Sequence, residues 1–496
     1  MFKEYEELAR RFLYELEMEL YLNGAGLRSV VNTAAIYERY APLFTEERVR
    51  TFKNASRNYD GEEKEIARRF YLFSCEHYLE NAGKRVHDAL LTMESTLEVD
   101  IDGEKCAFRS LSTKIQNENN RERRRKLFEA ELGGISKLNK LYIELLKTLH
   151  EKASELGYGS YLELYNDLKN LDLPEFQEIM NNFLRNTENL YVEKMNAYLE
   201  KYNLKLEELE KHDIQFVFAG TEFDRYFPPD SMLTEIREVT DAMGMDITKI
   251  RGRERNVIID MEVRPNKSPR AFVAPVDPPV EIYMVVLPQG GVSDYLSVFH
   301  ESGHALHYAF VLDALPFVYK KIGESAVSET YAFLFEYLLT NPQFVREHLP
   351  EESVLRDYLD YQMTYKLYML RRYIGKLNYE IKLHSYREPD IEKMSRIYAE
   401  EMKRAVGFKH PEECFLSDID PGFYTAEYLR AWIFEAMLRK KLEELYGENW
   451  FRNPDAGRYL RALWSVGEKH SVEELARNIN MENLTTRYLE EDLRKN

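Results

Sequence analysis

Cysteine is scarce in this chain. Its three cysteines, Cys75, Cys106 and Cys414, stand far apart and form no C-x-x-C pair. That excludes a disulfide framework and suits a reducing, intracellular setting. Long apolar runs are also lacking: no stretch reaches the roughly 18 residues that a membrane span needs. The first residues, Met1-Phe2-Lys3-Glu4-Tyr5-Glu6-Glu7, are charged at once and have no apolar signal core, so a cytoplasmic protein is expected. Positive charge is outweighed, with 68 Lys and Arg against 86 Asp and Glu and a net charge of −18. Phosphates would be repelled, which argues against nucleic acid as a partner. Tryptophan is rare at 3 against 35 tyrosines, and the tyrosines suit the amphipathic margin of a helical core. Internal repeats, low-complexity tracts and Pro/Gly/Ser linkers are absent.

What is present is mostly helical pattern. Residues 1–22, 118–157, 174–203, 351–386 and 424–446 place apolar residues three to four apart with charge between them. Strand signals are few. Thr92–Asp100 and Glu104–Leu111, joined at Asp102-Gly103, predict a hairpin within 92–111. Asn256–Val263 and Glu281–Leu287 are rich in β-branched residues, and the second reads as an edge strand open to main-chain pairing with an extended peptide. Pro275-Val276-Asp277-Pro278-Pro279 reads as a stiff loop before it. The expected fold is mainly α with a small β-sheet, divided softly near residue 250 into a helical N-terminal lobe, 1–250, and a C-terminal lobe, 251–496.

His300-Glu301-Ser302-Gly303-His304 decides the chemistry. It is an H-E-x-x-H motif in a segment predicted helical over 294–311, where residues four apart share one face and two imidazoles can hold one ion. Zinc in such a site lowers the pKa of its water from about 15.7 to about 7, and Glu301 stands where a carboxylate can take that proton. Ser293 or Asp294 is a candidate helix cap. Leu296, Phe299, Leu306 and Phe310 form a core-facing stripe, and His307 lies one turn beyond the histidine pair. Gly303 costs roughly 1 kcal/mol in mid-helix, a hint that another backbone passes close by. A catalytic zinc wants a third protein ligand. Glu324 and Glu329 are candidates on a helix predicted over 324–341, and spacing alone does not separate them. Glu336, two turns beyond Glu329, is placed to orient a ligand histidine.

These residues, His300-Glu301-x-Gly303-His304-x-x-His307 followed by Glu-x6-Glu at Glu329 and Glu336, resemble the thimet oligopeptidase and oligoendopeptidase F family of zinc peptidases. The stretch from Ser268 through Gly291 is similar to the strand and glycine loop ahead of that family's zinc helix. The resemblance implies one Zn²⁺ held by His300, His304 and Glu329, Glu301 as general base, and two lobes facing each other across a deep cleft that admits short unfolded peptides. Tyr424 and Tyr428 match the family's paired tyrosines that polarise the scissile carbonyl. The family's accompanying histidine is replaced near Asp418-Ile419, and a further tyrosine by Ala431. Two other readings stand beside this one. The first is a zinc carboxypeptidase of a related helical type, for which Arg270 and Arg430 are candidate carboxylate clamps. The second is a catalytically weak zinc or peptide-binding homologue.

Overall fold

A computed structural model describes residues 2–247, 256–481 and 483–494. Helices dominate, and the strands form two small sheets among the described residues. The chain resolves into two compact units, each assembled from separated stretches: Met1–Cys75, Thr221–Leu359 and Arg430–Lys495 form the first, Glu76–Gly220 and Asp360–Leu429 the second. The division expected near residue 250 lies outside the described residues.

The first unit is built around a three-stranded sheet. β3 (Val257–Asp260) pairs parallel with β5 (Glu281–Val285), and β5 pairs antiparallel with β4 (Phe272–Asp277). Segment 281–287 is therefore the central strand and not an edge. The proline-rich stretch read as a loop enters β4, which becomes an edge instead. An edge strand tolerates Pro275, whose missing N–H costs no ladder bond when it faces outward. Alternation then assigns the two faces of the sheet. Tyr283 and Val285 join Ala274 and Val276 against Tyr21 of the N-terminal helix, Phe2–Gly24, and Ala25 just past its end. From the opposite face Met284 meets Ser302 of the motif helix, Val292–Ala309.

That helix begins two residues earlier than expected, behind Gly291 in a left-handed conformation with φ 87°. Neither Ser293 nor Asp294 caps it. Asp294 reaches back to the N–H groups of Gln289 and Gly290, and Asp224 accepts from Val292 N at 2.9 Å. One orphan donor at the helix start, Val292 N–H, is thus satisfied from a distant segment. The helix Ser325–Glu336 crosses at Gly303, where a Cβ would collide with the Tyr331 carbonyl and the Ala332 backbone. Gly303 is there because two backbones touch.

The second unit holds long helices, among them Arg121–Glu155 and Leu173–Leu199. Its hairpin pairs β1 (Glu98–Ile101) with β2 (Glu104–Ala107) across Asp102 and Gly103, both at positive φ. Residues 92–96, expected as strand, finish the helix Gly61–Thr96. The hydroxyls of Thr92, Ser95 and Thr96 bond back to main-chain carbonyls of the preceding turn, at 2.8 Å in each case, which lets these strand-forming residues stay helical. No described helix is long and apolar enough to cross a membrane.

Candidate metal centre

The motif helix and the helix Ser325–Glu336 bring three donors together. His300 Nε2 lies 3.3 Å and His304 Nε2 3.7 Å from the same oxygen, Glu329 Oε2. Ligand atoms of the three residues all fall within 4.8 Å of one another, the one such group of His, Cys, Asp and Glu among the described residues. A tetrahedral ion with bonds of about 2.0–2.1 Å holds its donors about 3.3 Å apart, so the spacing fits zinc. The far side of each ring is fixed as well. His300 Nδ1 meets Glu336 Oε2 at 2.8 Å, and His304 Nδ1 meets Ser328 Oγ at 2.7 Å. Partners at Nδ1 orient a ring so that Nε2 presents its lone pair.

Charge at the site follows from this arrangement. Burial lowers the pKa of His300, yet hydrogen bonds to Glu329 and Glu336 outweigh it and hold the imidazole well above its ordinary value. Burial dominates at His304 and pushes it down to about 4. The carboxylates demand one positive charge between the rings, supplied by a proton on His300 or by an ion. Glu301 stands beside His300, its carboxyl pushed up to about 7 by burial, with the charge of His300 acting in the opposite direction.

Other candidates are placed elsewhere. Glu324 precedes the helix and accepts from Arg430 Nη2 at 2.8 Å, and Arg430 also bonds Glu473. It stays out of the histidine pair, and the buried Arg430 is occupied by two carboxylates. Arg270 is exposed. His307 is fully buried against Tyr331, and burial pushes it down to about 3. Tyr424 and Tyr428 lie in the second unit, 5.0 Å apart edge to face, with Tyr428 against Tyr373. Asp418, where the resemblance calls for a histidine, is bound by Arg372 and by the Tyr398 hydroxyl. Sequence reasoning missed Ser328, although it directly precedes Glu329.

Solved structures share this fold. A Bacillus anthracis protein assigned as oligoendopeptidase F is 14% identical, with 93% of this chain and 83% of that chain covered and a TM-score of 0.63. A Pyrococcus furiosus carboxypeptidase is 15% identical, over 100% of this chain and 98% of that one, with a TM-score of 0.64. An M32 carboxypeptidase from Deinococcus radiodurans is 14% identical, over 100% and 97%, with a TM-score of 0.62. At such identities the likeness establishes the mainly α fold alone. No curated protein matches by sequence. The family model described as Peptidase family M3 matches residues 115–494, a span that contains the motif helix, Glu329 and both tyrosines. The chain belongs to peptidase family M3 and is a metallopeptidase.

Proposed function

We propose that the protein is a zinc-dependent oligoendopeptidase that cleaves short unfolded peptides, with one Zn²⁺ per chain held by His300, His304 and Glu329. The observation that carries this reading is the convergence of two Nε2 atoms and one carboxylate oxygen at 3.3 and 3.7 Å, beside a glutamate none of them uses. A bound zinc supplies Lewis acidity, which makes water a competent nucleophile near neutral pH and polarises the scissile carbonyl. Glu301 takes the proton from the attacking water and delivers it to the departing amide nitrogen. Glu336 and Ser328 hold the two rings with Nε2 facing inward. Tyr424 and Tyr428 donate from Oη to the developing oxyanion. Main-chain pairing of an extended substrate falls to β4, the edge strand of the three-stranded sheet.

Endopeptidase action is supported over removal of C-terminal residues by the state of Arg430. Its guanidinium is neutralised by Glu324 and Glu473, leaving it a poor clamp for a terminal carboxylate. Three buried free cysteines suit a cytoplasmic setting. The test is Glu301→Gln assayed on an internally quenched peptide with an amidated C-terminus. The variant keeps about one equivalent of zinc and loses about 10²- to 10⁴-fold in kcat. Near wild-type turnover by the variant refutes Glu301 as the base. Failure of the wild type to cut the amidated peptide, while trimming its free-acid form, refutes the endopeptidase reading.

A further inference from the structure

The outer edge of β4 offers main-chain groups over a short stretch only. Ile282 of the central strand donates its N–H to the Asn256 carbonyl at 3.0 Å, and Val286, just past that strand, donates to Asp260 at 2.9 Å, both on the β3 side. Backbone groups of successive residues point opposite ways along a strand. Tyr283 and Val285 therefore turn theirs towards β4, where they face Ala274 and Phe272. Val273, between those two, turns its N–H and carbonyl outward. Its register partner Met284 meets Ser302 Oγ at 4.0 Å, which sets this outward pair beside the motif helix.

The next outward position is Pro275, and it has nothing to give a partner strand. Proline carries no N–H. Its carbonyl accepts from Lys321 Nζ at 2.6 Å, at the irregularity that interrupts the register between Ala274 and Asp277. Lys321 ends the short helix Phe317–Lys321. Its side chain is 6% exposed, and Glu17 Oε1 holds the same ammonium at 2.9 Å. A bond from an ammonium is stronger than one from a neutral amide, so a substrate N–H does not displace it. Proline and lysine are residues with which sheets commonly close an edge to further pairing.

We propose that Lys321 is a specificity-determining residue: by occupying the Pro275 carbonyl it ends the substrate-pairing edge of β4 at Val273. A bound peptide is then held by main-chain bonds up to that residue and released from register beyond it. Lys321 acts in this way on the reading, given above, that β4 pairs an extended substrate. The class of substrate that fits is a short peptide recognised through few backbone groups.

The test uses the full-length enzyme and an internally quenched oligopeptide whose amides, the scissile one excepted, are replaced by esters one at a time. Each ester removes a single N–H, and its KM is compared with that of the parent peptide on the same enzyme variant. In the wild type a sensitive position raises KM by about 2- to 10-fold, the effect of one hydrogen bond of ordinary net strength. The run of sensitive positions ends at the N–H that bonds Val273. Lys321→Met releases the Pro275 carbonyl, and the run gains one position of similar size, two residues further on. Lys321→Arg, which still donates to that carbonyl, keeps the wild-type run. If Lys321→Met does not fold with Glu17 left unpaired, the double variant Glu17→Gln, Lys321→Met carries the same comparison. A run of the same length in the wild type and in the variant that lacks the Lys321 ammonium overturns the proposal. A wild type insensitive at every position refutes pairing on β4 itself, and the role of Lys321 falls with it.

Discussion

Glu329 and Asp418 are both buried carboxylates at positions the family resemblance singles out, and their surroundings differ in kind. Asp418 is surrounded by permanent cations, with Arg372 in contact, Lys211 at 4.0 Å and the Tyr398 hydroxyl donating at 2.6 Å. Burial raises its pKa, but Arg372 and Lys211 prevail and hold it well below the usual carboxylate range. Glu329 faces two imidazoles whose other nitrogens are already taken up by Glu336 and Ser328. The difference teaches how to read a buried acid. One enclosed by arginine and lysine is electrically complete and serves structure, whereas one aimed at two ring nitrogens takes its positive charge from a proton on His300 or from a bound ion.

Breaking each carboxylate in turn sharpens that contrast. Glu329→Ala removes stoichiometric zinc and with it chelator-sensitive peptide hydrolysis, the largest effect expected. Glu324→Ala leaves zinc in place, since that residue serves Arg430, and metal analysis of the two variants separates them. Zinc lost only from the Glu324 variant contradicts the ligand assignment. Asp418→Ala strands Arg372 without its buried partner and destabilises the fold by about 3–5 kcal/mol. Thermal or denaturant unfolding reads that loss, and the remaining folded protein still binds zinc.

A third buried acid, Glu380, tests the same logic through pH. It accepts from Asp420 N and from Thr425 Oγ1, and burial pushes its pKa up to about 8, Lys376 opposing. The folded state therefore keeps a proton that the unfolded chain releases near its ordinary value of 4.5. Between those two values the native form binds more protons, so this group's contribution to stability falls as pH rises. Glu380→Gln flattens that part of the stability profile by up to a few kcal/mol across the window. An unchanged slope in the variant contradicts a protonated Glu380.

Much of the candidate metal centre was legible in the sequence because it is local. Four-residue spacing on a helix places His300 and His304 together whatever surrounds them, and Gly303 marked the crossing of two backbones that the structure contains. Glu336, seven residues past Glu329, likewise fell where helical periodicity put it, on His300. The features that escaped are those made by long-range pairing. Segment 281–287 became a central strand because 272–277, masked by Pro275, paired along its free side. Residues 92–96 carried strand-forming side chains, but their hydroxyls bonded within a helix. Glu468 reaches Tyr308 of the motif helix from 160 residues away, with no local pattern to announce it. The mainly α fold followed from periodicity, whereas the two units interleave along the chain in a way that no local composition marks.

The central claim is one zinc ion on three protein ligands with a position open to solvent. Anomalous diffraction at the zinc edge, from crystals of the zinc-loaded protein, tests it most directly. The account predicts a single strong peak within about 2.0–2.2 Å of His300 Nε2, His304 Nε2 and a Glu329 oxygen, with solvent as the remaining neighbour. A peak away from these residues, or one closed off by a fourth protein ligand, contradicts it.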